Sequence, residues 1–386
     1  MKKICVISGS RADYGLLYWT MLKLKDSKNF ELQICVTGMH LSNEFGLTYK
    51  NIEKDGFRID FKIETLISGD TGASVSKSIG LGVIGFTDAF EKLKPDLVLV
   101  LGDRFEIFSA VTAAMALRIP IAHCHGGELS LGAIDDAIRH SITKMSHVHF
   151  VSTEDYYRRV VQLGEDKKRA FVVGALGIES LKKNKFKSKI QLEKELEIKF
   201  LNQIFLITFH PETLNKKSNA RNFSEILEAV DKFKNTTLIF TEPNADSEGR
   251  LLIDMIDEYV KKNSGKAFSF KSLGQVYYPS IMDKVDVVIG NSSSGLIEAP
   301  FFKVPTINIG DRQKGRICGE TVINCKSDNI LIYESIKKGL SKDFMNSIKK
   351  SKNPYGNSNS SEKILEILKR MNLKKIINKP FVDIEN

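Results

Sequence analysis

The sequence has little with which to cross a membrane, hold zinc or build a disulfide framework. No stretch of its 386 residues approaches the roughly 18 consecutive apolar residues that a membrane helix needs. The opening Met1-Lys2-Lys3 is basic, but the apolar run after it stops at Ser8-Gly9-Ser10, which reads as a first strand rather than a signal peptide. Five cysteines, at 5, 35, 124, 318 and 325, are odd in number and scattered, with no C-x-x-C pair. They suggest neither a disulfide scaffold nor a redox motif, and the expected compartment is a reducing cytoplasm. The turn after the first strand lacks G-x-G-x-x-G, which argues against a dehydrogenase-type dinucleotide site, and H-E-x-x-H is absent. There is no internal repeat, and no low-complexity segment beyond the polar run 357–361.

What is present fits a two-domain globular chain. The length exceeds that of one ordinary domain, and a hydrophobic fraction of 42% with 27% charged residues is near the globular average. A net charge of +10 invites a polyanion, yet the lysines are dispersed in stretches such as Lys182-Lys183 and Lys349-Lys350. They read as a solvated surface, and no nucleic-acid motif accompanies them.

Short β-branched runs alternate with helical stretches, the pattern of parallel βαβ units. Strands are expected at Ile4–Ser8, Glu31–Val36, Asp96–Leu101, Ile119–His123, Val148–Val151 and Ala170–Val173, with helices over 15–25, 77–93, 105–116, 136–146 and 153–163. The Lys/Glu-rich stretch 181–200 is the expected linker. A second series follows, with strands at Ile204–Phe209, Thr236–Phe240, Val285–Ile289 and Val304–Ile309 and helices near 220–233, 247–262, 293–301 and 329–340. The expected fold class is α/β, with two Rossmann-like domains facing across a cleft. They span 1–180, completed by the C-terminal stretch 361–386, and 200–360. Ligands of such folds bind outside the carboxyl ends of the strands.

Polar constellations stand at those strand ends. Gly9-Ser10-Arg11-Ala12-Asp13-Tyr14 follows the first strand, and its small residues allow close approach of an anion. Gly102-Asp103-Arg104 ends the apolar run 97–101, as either a salt-bridged strand end or a site pair. The densest group is His123-Cys124-His125-Gly126-Gly127-Glu128 with Asp135, Asp136, Arg139 and His140. Alternation puts His123 and His125 on one strand face, while helical spacing brings Asp135, Arg139 and His140 together. A divalent metal is the sharper alternative, disfavoured by the absent metal-ligand spacings. His147 and His149 read as structural. In the second half His210 ends a strand, Asn244 follows another, and Gly290-Asn291-Ser292-Ser293-Ser294-Gly295 opens a helix bearing Glu298. Such a loop can cradle a diphosphate, with Glu298 on the ribose hydroxyls and the cations of Gly310–Arg316 nearby; a solvated basic loop is the plainer reading of the last.

Together these segments resemble the hydrolysing UDP-N-acetylglucosamine 2-epimerases of sialic-acid biosynthesis. The resemblance rests on Gly9–Tyr14, Thr37-Gly38-Met39-His40, Gly102–Arg104, His125–Glu128, Ile138–Met145, Phe209-His210-Pro211, Gly290–Ser293 and Gly310–Gln313, in family order from Lys3 to about Arg316. It implies a GT-B arrangement and a nucleotide-sugar substrate, with no cofactor, metal, nucleic acid or membrane, in a dimer or tetramer. UDP is then held by positions matching His210, Asn244, Ser292, Ser293, Glu298 and Arg312, with Arg11, Arg104 and Glu128 also binding substrate. Asp103 and Asp135 match the acid/base positions, beside Arg139. Several relatives carry glutamate where this chain has His125, so His125 and His40 join Asp135 as candidates for the second proton step. The implied reaction yields UDP and N-acetylmannosamine through 2-acetamidoglucal. A UDP- or GDP-N,N'-diacetylbacillosamine 2-epimerase of legionaminic-acid biosynthesis is the alternative. A GT-B glycosyltransferase, a metal-dependent hydrolase and a sugar-nucleotide-binding regulator are more distant ones. The stretch 61–80 is expected to line the side of the sugar that separates the two substrates.

Overall fold

Strands that read as unbroken β-branched runs are covered on both faces, which is why they pair in parallel. Leu97–Leu101 is buried at every position. The structure, a computed structural model, describes residues 1–67, 71–131, 134–211, 219–243, 249–356 and 359–383. The strands are β1 Lys2–Ser8, β2 Phe30–Thr37, β3 Phe61–Ile63, β4 Leu97–Leu101, β5 Ile121–Cys124, β6 Val148–Val151 and β7 Ala170–Val172. They continue as β8 Gln203–Thr208, β9 Thr236–Thr241, β10 Ala267–Phe270, β11 Val287–Gly290, β12 Thr306–Ile309 and β13 Val322–Cys325.

The chain divides into two compact units. The first comprises Met1–Glu128, Ile134–Ser180 and Tyr355–Asn386; the second comprises Leu129–Ala133 and Leu181–Pro354. The first holds a parallel sheet of order β3-β2-β1-β4-β5-β6-β7, the second one of order β10-β9-β8-β11-β12-β13. Strand order reverses between β1 and β4 and between β8 and β11, and the loops leaving those strands flank the crevice where open α/β sheets take ligands. Register is fixed by pairs such as Ile4 with Leu32 and Leu97, and Ile289 with Ile207 and Ile307. The helix Ser360–Arg370 lies in the first unit, where Ile364 and Leu368 join Leu17 and Met21 in the core. Among the described residues no helix is long and apolar enough to cross a membrane.

Element ends differ from expectation for local reasons. The first helix spans Arg11–Asp26 because the Ser10 hydroxyl caps it by accepting the Asp13 N–H at 3.3 Å. The helix expected over 77–93 starts at Gly72, capped by Thr71. β5 begins after Pro120, which lacks an N–H for the ladder, not at Ile119. The helix expected over 293–301 is Ser293–Ile297 followed by a 3-10 turn Ala299–Phe301, because Pro300 has no N–H to donate to the Leu296 carbonyl and so cannot continue the α-helical ladder. The stretch 181–200 is not a bare linker. The helix Leu176–Lys183 runs into it, and the helix Lys189–Leu196, with a Ser188/Gln191 capping box, buries Leu192 against Ile198 and Leu206.

Candidate active site

In the first unit the loops leaving β1, β2 and β4 meet on a buried carboxylate. Glu106 is 1% exposed and accepts two bonds from Arg104, Nε at 3.3 Å and Nη2 at 3.1 Å. Gly38 has a φ of +57°, and a Cβ there would lie 2.8 Å from Glu106 Oε1, so only glycine fits. Asp13 is buried close by, accepting the Gly9 N–H at 3.3 Å. Burial raises its pKa to about 6 against the opposing pull of Arg104. Arg11 is exposed on the first turn of its helix.

Deeper, β4 and β5 converge on Arg139, from the helix Ile134–Met145. Its Nη1 donates to the His125 carbonyl at 2.8 Å, and its Nη2 makes a short bond to Asp103. Arg139 is 4% exposed, so the pair forms largely out of water. Asp135 stands one turn earlier on the same helix. Its pKa rises to about 6, first through burial and then through the charge of Asp103.

The histidines do not sit as alternation suggested. β5 ends at Cys124, and His125 takes a left-handed φ of +63° before Gly126-Gly127, so His123 and His125 do not share a strand face. His123 is buried on the Gly102 carbonyl, 2.8 Å from Nε2, and burial lowers its pKa to about 3. His125 accepts the Leu176 N–H on Nε2 at 3.2 Å, which leaves the proton on Nδ1, 3.0 Å from Glu128 Oε1. Both ring nitrogens are occupied. Glu128 also accepts the Ser152 hydroxyl at 3.0 Å and is 3% exposed. His40 is likewise enclosed between the Ser8 and Thr48 hydroxyls, each at 2.8 Å, and burial lowers its pKa to about 4. Each of the two rings ties loops together in this way, and both remain candidates for the second proton step. His149 pairs with buried Glu165 at 2.9 Å, a structural role. Among the described residues no group of three His, Cys, Asp or Glu is placed to hold a metal ion.

In the second unit the loops after β8, β11 and β12 converge. Gly290 has a φ of +133°, and a Cβ there would lie 1.9 Å from the Thr208 carbonyl oxygen. Ser292 caps the helix Ser293–Ile297, and the Ser294 hydroxyl bonds that of Tyr278 at 2.6 Å. With five residues this helix offers little dipole, so hydroxyls and side chains would carry anion binding. Arg312 donates through Nη1 to the Asn291 carbonyl at 3.1 Å. Burial and Arg312 lower the His210 pKa to about 3, and its Nδ1 has no partner among the described residues. Half-buried Glu298 has its pKa raised to about 7 by burial. Asn244 lies outside the described residues. Sequence reasoning missed Asp13, Glu106, Tyr278, Asn291 and Gln313 as individuals, although all but Glu106 and Tyr278 lay inside motifs it had singled out.

The chain matches the family model described as UDP-N-acetylglucosamine 2-epimerase over residues 22–369. It is 46% identical to a GDP/UDP-N,N'-diacetylbacillosamine 2-epimerase (hydrolyzing) of Campylobacter jejuni, over 99% of each chain. It is 39% identical to the polysialic acid biosynthesis protein P7 of Escherichia coli, over 96% of this chain and 94% of that one. Its fold is similar to the crystal structure of a UDP-GlcNAc 2-epimerase from Neisseria meningitidis bound to UDP-GlcNAc, with a TM-score of 0.79 at 21% identity, covering 95% of this chain and 99% of that chain.

Proposed function

The chain belongs to the UDP-N-acetylglucosamine 2-epimerase family, and from that premise we propose that it converts a nucleotide-linked N-acetylated hexosamine into a nucleoside diphosphate and the free sugar inverted at C2. It is a hydrolysing 2-epimerase. The substrate we propose is UDP- or GDP-linked N,N'-diacetylbacillosamine, the class in the name of the 46% identical relative. This reverses the order of the two candidates reached from residues alone. UDP-N-acetylglucosamine is the second reading, the substrate in the description of the family model and in the name of a 29% identical relative.

One observation carries the chemistry: Arg139 holds Asp103 beside a second carboxyl, Asp135, that keeps its proton to about pH 6. A proton removed on one face and returned on the other requires two groups, and a carboxyl that keeps its proton toward neutral pH suits the second step. The C2 proton has no carbonyl beside it, so departure of the diphosphate comes first. The C1–O electron pair leaves with the phosphate oxygen, and oxocarbenium character at C1 makes C2–H removable. Arg312, Arg11, His210 and the hydroxyls of Ser292 and Ser293 take up the leaving group, with Glu298 on the ribose. Asp103 removes the C2 proton to give the glucal. Water then adds at C1, its proton passing to solvent, while Asp135 returns a proton to the other face of C2, with His125 and His40 the other candidates for that step. No redox cofactor enters the scheme.

The test is incubation of the protein with each nucleotide sugar in heavy water, without acceptor, followed by NMR of the products. The expected result is a C2-inverted free sugar carrying deuterium at C2, formed faster from the diacetylated substrate. Release of neither nucleoside diphosphate nor inverted sugar from either compound refutes the reading. Nucleoside diphosphate released only when an acceptor is added, with the sugar bonded to that acceptor, assigns a transferase instead.

A further inference from the structure

One buried side chain joins the three loops that end β8, β11 and β12. Asn291 is 0% exposed. Its amide clamps the backbone of a residue 81 positions earlier: Oδ1 accepts the His210 N–H at 2.7 Å, and Nδ2 donates to the His210 carbonyl at 2.8 Å. Its own N–H donates to the Thr208 carbonyl at 3.1 Å. Its carbonyl accepts from Arg312 Nη1 at 3.1 Å and from Gln313 Nε2 at 2.7 Å. The residue after it is Ser292, the helix cap. His210, Ser292 and Arg312 thus hang from one residue that is itself sealed from solvent.

The chemistry of the clamp is specific to an amide. His210 presents one backbone donor and one acceptor, and only a planar group bearing both an acceptor and a donor can satisfy them together. Aspartate matches asparagine in shape but brings two acceptors, so one oxygen would face the His210 carbonyl. Gly290 makes the reach possible, because no side chain fits between β11 and the Thr208 carbonyl. Displacing these loops by even part of an ångström would separate groups that must meet one diphosphate together.

We propose that Asn291 is a positioning residue for the leaving group: its amide sets His210 and Arg312 at the separation a nucleoside diphosphate requires. The proposal rests on the nucleotide-sugar reading above. It concerns the phosphates rather than the nucleoside, and this gives it a signature that general loosening of the fold lacks.

The test compares UDP, measured by titration calorimetry, with uridine, measured by ligand-observed NMR, on the whole protein and its Asn291→Asp variant. The expected result is a loss of at least about tenfold in UDP affinity with uridine binding held within about twofold, a loss consistent with breaking a buried hydrogen bond. UDP affinity unchanged in the variant overturns the proposal, as does equal weakening of UDP and uridine. If Asn291→Asp does not fold, Gln313→Leu is read by the same ratio, since it removes one of the two donors on the Asn291 carbonyl and leaves the clamp intact. A selective loss of about threefold supports the proposal and no selective loss refutes it. Parent protein that binds neither UDP nor GDP refutes the underlying nucleotide reading, whereas parent that binds either diphosphate alongside variants that bind it equally well refutes this inference alone.

Discussion

The carboxyl of Asp135 sits where ionising is unfavourable, and this has a thermodynamic consequence independent of turnover. Its pKa rises from 3.8 to about 6 through burial and the charge of Asp103. The folded state therefore binds this proton more tightly than the unfolded chain does. The stability it contributes is fully present below about pH 4 and is lost as pH rises through about 6. The difference corresponds to about 3 kcal/mol at most. Because Asp135 keeps some solvent contact, screening leaves on the order of 1–2 kcal/mol. Asp135→Asn keeps the shape and removes the charge. The variant is expected to unfold roughly 2–8 °C above its parent at pH 8, with the gap closing as pH falls toward 4, while turnover drops at least about 100-fold. Differential scanning calorimetry from pH 4 to 8 reads the first effect and product NMR the second. A variant less stable than its parent at pH 8, or a gap that does not change with pH, would refute the electrostatic argument.

Two further outcomes follow from geometry. Arg139→Lys replaces a planar fork with a single ammonium that cannot hold both Asp103 and the His125 carbonyl; turnover should fall by about 10- to 100-fold while UDP affinity, measured by calorimetry, stays within about twofold. Gly290→Ala places a Cβ 1.9 Å from the Thr208 carbonyl oxygen, a backbone clash expected to cost about 3 kcal/mol or more and to appear as an earlier transition in a denaturant melt.

Much of the fold was legible because a strand covered on both faces must be apolar throughout, as Leu97–Leu101 is. The missed strands lack that mark: β3 has three residues, and β10 and β13, at the two edges of their sheet, are mostly only half-buried. The site was legible as residue types, since charged and glycine-rich segments at the ends of buried strands are otherwise hard to explain. Roles were less so. The left-handed backbone of His125 and its bond from the N–H of Leu176, 51 positions away, set where its ring lies, and neither can be read from neighbouring residues. Asn291 was one letter of a Ser/Gly loop until His210 was seen to face it.

The same burial that raises Asp13, Asp135 and Glu298 to between about 6 and 7 lowers His40, His123 and His210 to between about 3 and 4. Desolvation acts against charge of either sign, so it moves the two kinds of group in opposite directions. The ordinary assignment of near-neutral titration to histidine is thereby inverted for these six residues: near pH 6 to 7 it is carboxyls that change state while these imidazoles stay neutral. The positive charge available to a diphosphate then comes from guanidinium groups, which keep it at every working pH. A carboxyl whose affinity for the proton is close to that of the medium, as burial makes that of Asp135, is in the condition under which it can both give and take one.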